Sequence, residues 1–331
     1  MSVPVWLWLA TLGGLLVLIL IDLVIVDRKP HEVTTGEAAR WVTFYISCAV
    51  LFGIGVWVWG GHDPGVEFFS GYITEYSLSV DNLFIFMLIM GSFKVPAIHQ
   101  HRVLLIGILL ALVMRGVFIA IGAALIERFV WVFFLFGAVL VWTAISMLRG
   151  QEQEEYHENA LLRRTRKIFP VTDDYVGHKM FVKRDGKRWI TPMLMVIIAI
   201  GSADLLFAVD SIPAIFGITQ EAYLVFTANA FALMGLRQLY FLIGGLVERL
   251  AYLNYGLAAI LLFIGAKLFL HAAHEYGWVP DAFEINNWIS LGVIVTVLVL
   301  TTVFSLLKSR KDQRAAEAGE LPATDSQPTN T

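Results

Sequence analysis

Residues 75–86, Glu75-Tyr-Ser-Leu-Ser-Val-Asp81-Asn82-Leu-Phe-Ile-Phe, and residues 204–215, Asp204-Leu-Leu-Phe-Ala-Val-Asp210-Ser211-Ile-Pro213-Ala-Ile, repeat one pattern. Each has an acid, five residues ending in Val, an Asp, and a small amide or hydroxyl side chain, set in an otherwise apolar run. The likeness continues downstream. Leu125-Ile-Glu127-Arg128-Phe answers Leu246-Val-Glu248-Arg249-Leu, and Arg115 and Arg237 fall within one residue of alignment. Duplicated halves of this kind are a common way of building secondary transporters.

The surrounding composition is that of a membrane protein. Of 331 residues, 58% are hydrophobic and 15% charged, and the mean hydropathy is +0.72, which does not fit a water-facing surface. A bilayer core about 30 Å thick needs about 20 apolar helical residues. Such runs lie near 5–26, 41–60, 69–90, 103–126, 129–148, 192–217, 222–247, 250–271 and 287–307. The first has no basic leader and no small-residue cleavage site, so it reads as a retained span. The expected fold is an all-α polytopic membrane protein of about nine transmembrane helices with two inverted three-helix repeats. Its segments are 1–66 (two helices), 67–148 (first repeat), 149–191 (loop), 192–275 (second repeat), 276–307 (final helix) and 308–331 (a disordered tail rich in Ala, Glu, Thr and Pro).

Twenty of the 24 Lys and Arg residues fall in alternate loops and the tail after 307, Arg128 lies alone on the other side, and Arg115, Arg237 and Lys267 sit inside spans. The side rich in Lys and Arg faces the cytoplasm, which predicts an outside N-terminus and a cytoplasmic C-terminus. The 149–191 loop opens on an acidic stretch at 151–158 and turns basic at Arg163-Arg164-Thr-Arg166-Lys167. Asp185-Gly186 between two alternating segments then signals a β-hairpin. Its cations suit contact with anionic lipid. Trp57, Trp59, Trp131 and Trp278 lie near span ends and read as interfacial anchors.

An odd number of spans per repeat gives the halves opposite orientation, related by an axis in the membrane plane. Six residues separate the acids of each motif by about 9 Å along a helix, so Glu75, Asp81, Asp204 and Asp210 straddle the midplane. On regular helices Glu75 shares a face with Asn82, and Asp204 with Ser211, whereas Asp81 and Asp210 lie about 100° away. Convergence of all six would be easier if the helices broke locally; Gly201 and Pro213 predict such a break in the second motif's helix, while the first has no comparable breaker. Buried carboxylates are expensive, so four of them imply a task. Carboxylate, amide and hydroxyl oxygens suit Mn²⁺, Mg²⁺ or Ca²⁺. Crowded acids also raise and couple one another's pKa values, which suggests proton exchange for the cation. Arg115, Arg237 and Lys267 read as counter-charges. His271 and His274, four apart, are weaker candidates for a metal contact at the outer end of the eighth span. Asp22 reads as a partner for nearby basic residues.

Other chemistry finds little support. The near-balance of 24 basic and 27 acidic residues gives no nucleic-acid footprint. Cys48 is the sole cysteine, so there is no internal disulfide, CxxC pair or zinc cluster. No phosphate-binding loop, dinucleotide fingerprint or haem attachment motif is present. A bound cofactor and an enzymatic reaction are not expected. Protein partners are not legible.

The two acidic motifs, together with Phe169-Pro170-Val171-Thr172, Gly177, Phe181 and Thr191-Pro192, resemble the TerC family, most closely its Alx-type members, over roughly residues 35–310. The resemblance implies a bacterial inner-membrane protein linked to manganese export, to metal supply for exported enzymes and, historically, to tellurium resistance. It also implies a place among LysE-type transporters with inverted three-helix repeats. Carried over by position, it gives Glu75, Asp81, Asp204 and Asp210 as metal-holding acids with Asn82 and Ser211 beside them. The motif charge is negative, so no anion site here accounts for tellurite. The expected function is export of a divalent cation, manganese foremost, in exchange for protons. The alternative is a scaffold or accessory protein in tellurium-resistance or envelope-stress complexes, docking through the 149–191 loop.

Overall fold

The computed structural model describes residues 3–26, 34–149, 160–172, 174–177, 179–184, 187–243, 252–280 and 285–317, without the side chains of 22–26, 81, 84, 160, 161, 184, 187, 243 and 310–317. The acidic stretch 151–158, the turn residues Asp185 and Gly186, the Glu248-Arg249 pair, the side chain of Asp22 and the tail from 318 lie outside that description.

The elements in chain order are α1 (Val5–Val26), α2 (Thr35–Gly60), α3 (His62–Ser92), α4 (Ala97–Ile126), α5 (Trp131–Leu148), α6 (Ala160–Ile168), β1 (Phe181–Arg184), β2 (Lys187–Ile190), α7 (Pro192–Phe216), α8 (Ala222–Ile243), α9 (Leu253–Glu275) and α10 (Asn287–Glu317). The protein is all-α and polytopic. Seven of these helices, α2, α3, α4, α5, α7, α9 and α10, are long and apolar enough to cross a membrane. Helices α1 and α8 occupy the other two positions where spans are expected but are not among those seven. Many large apolar side chains point outward, among them Leu51, Val113, Trp142, Leu206 and Val299. Such a surface suits lipid, where the backbone must be satisfied within each helix. Trp59 and Trp278 are exposed at their helix ends.

Polar residues at helix ends shift the boundaries from those that hydropathy suggests. Thr34 caps α2, its hydroxyl accepting from Glu37 N–H, and the helix starts before the expected 41. α3 begins at His62 and not at 69, separated from α2 by Gly61 alone, whose φ of 101° is open to glycine. α10 runs on through Lys308–Glu317, so residues 308–317 are helical where a disordered tail was expected.

The expected break in α7 does not occur. The helix is continuous from Pro192 to Phe216 through Gly201, Asp204 and Asp210. Pro213 falls in its last turn, where a missing N–H removes only one hydrogen bond, that to the carbonyl of residue 209. Pro192 opens the helix, a position that loses nothing by lacking an N–H.

The helices pair reciprocally. α3 packs on α8 and α7 on α4, while α5 meets α9, α4 meets α8 and α3 meets α7. At the α5–α9 crossing the two backbones touch: a Cβ on Gly137 would lie 3.0 Å from the Gly265 carbonyl oxygen, and one on Gly265 would lie 3.2 Å from that of Gly137. Small residues allow such close approach between apolar helices. Along α4 and α7 two apolar clusters follow one another. The first holds Leu104, Ala111, Ile200 and Ala203, and the second Ile119, Ala123, Ala208 and Ile212. Arg115 and Asp204 sit at the seam between them.

β1 and β2 form an antiparallel hairpin with Arg184 opposite Lys187. It is docked, not loose: Ile190 is 1% exposed and Leu162 of α6 fully buried. Tyr175 O–H donates to the Phe93 carbonyl at 3.0 Å, and Thr191 Oγ1 donates to the Lys179 carbonyl at 2.6 Å.

Candidate functional site

The two motif helices α3 and α7 lie against each other, and α4 brings a cation to their seam. Arg115 is fully buried, as is Glu75, and Asp204 is 1% exposed. The guanidinium grips Asp204 with two bonds, Nε to Oδ2 at 3.2 Å and Nη2 to Oδ1 at 3.0 Å, and its Nη1 donates to Glu75 Oε1. One arginine therefore ties the first acid of one motif to the first acid of the other. Two carboxylates against one guanidinium leave a formal charge of −1 in a dry interior. Such a cluster is costly to assemble, and removing one partner from it costs more. The planar fork of Arg fits a carboxylate edge in a way Lys cannot.

Several buried polar atoms lack a hydrogen bond on α3, α7 and α8. Glu75 Oε2, Thr74 Oγ1, Tyr76 O–H and Ser79 Oγ on α3, Ser211 Oγ on α7, and both amide atoms of Asn229 on α8 are buried without a hydrogen-bond partner. Buried polar groups are ordinarily bonded. Oxygens of these kinds suit a hard cation, but Thr74, Glu75 and Tyr76 are successive residues and face different sides of α3.

The six expected site residues are not gathered into one cage. Glu75 and Asp204 meet through Arg115. Asn82 (4% exposed) and Ser211 (1%) are buried on α3 and α7, and Asp210 is half-buried on α7. Asp81 belongs to α3, but its side chain is outside the described set. Among the described residues no three His, Cys, Asp or Glu side chains converge as a metal cage. Arg237, 1% exposed on α8, lies among Tyr45, Leu109, Leu112 and Met234.

Lys267 belongs to a second polar group. Its Nζ donates to Asn287 Oδ1 at 2.9 Å and Ser290 Oγ at 3.1 Å. Glu67 faces the same place, Oε2 accepting from Thr219 Oγ1 at 2.6 Å and Oε1 from Asn287 Nδ2 at 2.8 Å. Glu67, Thr219, Lys267 and Asn287 line a cavity of about 330 Å³ with Gln220, Glu221 and His271. The Gln220 amide nitrogen and His271 Nε2 are 2.8 Å apart, and His274 Nδ1 is 3.3 Å from the Val279 carbonyl. Sequence reasoning passed over Glu67 because the apolar count began the span at 69, and over Thr219, Asn287 and Ser290 because they lie on other elements and carry no local pattern. With α3 starting at His62, the series 67, 71, 75, 78, 82 makes one helical stripe that carries Glu67, Glu75 and Asn82.

Comparison with known proteins places this architecture. The model of the integral membrane protein TerC family matches residues 61–313. An uncharacterized membrane protein of Mycobacterium tuberculosis is 45% identical over 315 residues, covering 92% of this chain and 79% of that protein. One from Myxococcus xanthus is 39% identical over 305 residues, covering 92% and 93%. An Escherichia coli K12 protein whose name describes it as a membrane-bound redox modulator, Alx, is 36% identical over 299 residues, covering 87% and 90%. No solved structure matches. The matched residues contain both acidic motifs, Arg115 and the docked hairpin, and the chain belongs to the integral membrane protein TerC family.

Proposed function

We propose that this protein is a secondary transporter that carries a divalent cation, manganese foremost, out of the cytoplasm across a bacterial inner membrane in exchange for protons. The observation that carries the reading is the buried Glu75–Arg115–Asp204 cluster, which joins the two repeated motifs near the middle of α3 and α7. Charge at that depth is costly and marks an ion path by default. The oxygen-rich surroundings suit hard divalent ions, and the resemblance to the TerC family puts Mn²⁺ first among them.

The helix pairing supports inverted repeats. Exchanging α3 with α7, α4 with α8 and α5 with α9 turns the observed α3–α8 contact into the α7–α4 contact and returns the other three pairs to themselves. Gly137 and Gly265, 128 positions apart (265 − 137), nearly match the 129 between Glu75 and Asp204 (204 − 75), and they touch each other, as residues beside a two-fold axis would. With the N-terminus outside, the Glu67 cavity opens outward and the hairpin faces the cytoplasm.

The test is Mn²⁺ accumulation in inverted membrane vesicles, with and without a pH gradient. Wild type is expected to accumulate Mn²⁺ when the gradient is present, and Asp81→Asn and Asp210→Asn to fall to background while inserting normally. Background flux in all three refutes manganese export. A second reading, a docking scaffold, draws on the exposed Arg163, Arg164, Arg166, Lys167 and Phe169 of the loop. The redox modulation in a relative's name has no dithiol couple to work through here, since Cys48 is the sole cysteine.

A further inference from the structure

Asp204 gives both carboxylate oxygens to Arg115, and Glu75 gives one, so of four oxygens in the pair only Glu75 Oε2 lacks a hydrogen-bond partner. With Arg115 in place only Glu75 Oε2 is open to a cation. To take Asp204 as well, a divalent cation must approach oxygens that the guanidinium already holds, against its positive charge.

Resting on the transport reading above, we infer that Arg115 is a tethered competitor of the transported cation: the guanidinium must leave Glu75 and Asp204 for the cation to bind, and its return drives the cation off. The exchange never leaves two bare carboxylates in a dry interior, where they are least tolerated. It also sets selectivity by charge. Counted as the two carboxylates with the one cation they hold, the pair stays at −1 when a monovalent ion replaces Arg⁺ and becomes neutral when a divalent ion does. Monovalent ions therefore lose to the arginine and divalent ions displace it.

A ligand whose binding-competent form is only a small fraction of the population is weakened by that fraction. With Arg115 displaced in fewer than about one molecule in ten, its removal tightens binding at least about tenfold. The experiment measures Mn²⁺ binding to the purified full chain in nanodiscs, with Na⁺ as competitor, alongside Mn²⁺ flux in liposomes, for wild type, Arg115→Met, Arg115→Lys and Asp204→Asn. Arg115→Met is expected to bind Mn²⁺ at least tenfold more tightly, to become sensitive to Na⁺, and to transport more slowly because nothing drives release. Arg115→Lys, which keeps the charge without the two-pronged grip, is expected to lie between it and wild type, and this variant decides the matter if Arg115→Met does not fold. A folded Arg115 variant that binds Mn²⁺ no better than wild type, or that binds better and also transports faster, overturns the competitor role. Absence of Mn²⁺ binding in wild type and every variant overturns the cation reading itself.

Discussion

Gly137 and Gly265 lie back to back where α5 crosses α9, each so close to the other's carbonyl oxygen that a Cβ on either would sit within 3.0 to 3.2 Å of it. Phe269 and Val141 close the remaining space at 3.0 Å. The contact depends on the absence of side chains, so Gly137→Val and Gly265→Val should each destabilise the fold by about 1–3 kcal/mol through overpacking. The double variant should cost less than the sum, since the first substitution already forces the helices apart. Thermal unfolding in detergent measures both. Full additivity would mean the two glycines do not share one contact.

Glu67 and Lys267 make a second coupled pair, linked through Asn287, which donates to the acid and accepts from the amine. Lys267→Met leaves Glu67 its bonds from Thr219 and Asn287 but removes the nearby cation and the donor to Asn287 and Ser290, and should cost about 1–3 kcal/mol. Adding Glu67→Gln should restore part of that loss, because the uncompensated charge is then gone. The same unfolding measurement checks it, with a double variant no better than Lys267→Met as the contrary result.

The docked loop gives a prediction about alkaline stability. Burial pushes the Tyr175 phenol from its ordinary value of 10.0 up to about 12. A raised folded pKa means that the neutral form is the one the fold prefers. Stability from this group is therefore fully present below about pH 10 and is lost as pH rises toward about 12. Tyr175→Phe should cost about 0.5–1.5 kcal/mol at neutral pH by removing the bond to Phe93, and should flatten that alkaline loss. Unfolding followed across pH 8–12 would show it, and an unchanged alkaline limb in the variant would contradict it.

The same loop separates transporter from scaffold. Excising the hairpin would take the buried Ile190 out of its apolar cluster and disturb the fold, so charge reversal at its exposed Lys183 and Arg188 is the cleaner intervention. Lys183→Glu with Arg188→Glu should leave Mn²⁺ flux within about twofold of wild type, because surface charges there barely affect stability. Loss of flux with the protein intact in the membrane would favour the docking role.

The membrane character and the helical elements were legible because length and apolarity suffice to mark a span. Helix ends were less so: Thr34, His62 and Lys308 are polar and helix-compatible, and hydropathy discards them. The continuity of α7 was missed because a proline was weighed without its distance from the helix end. Arg115 was visible as a buried cation near the acids, yet its grip on both motifs depends on how α4 is rotated against α3 and α7, which one helix's sequence does not encode. Glu67, Thr219 and Asn287 come from three separate elements and carry no local pattern, so only folding brings them together.

In the proposed transport a divalent cation passes between α3 and α7 at Glu75 and Asp204. The direct measurement is Mn²⁺ quenching of a dye trapped in liposomes that hold the purified chain, for wild type, Glu75→Gln and Asp204→Asn. Wild type should quench well above protein-free liposomes, and both variants should fall to that background while keeping wild-type helicity. Quenching at the wild-type rate by either folded variant would contradict the account.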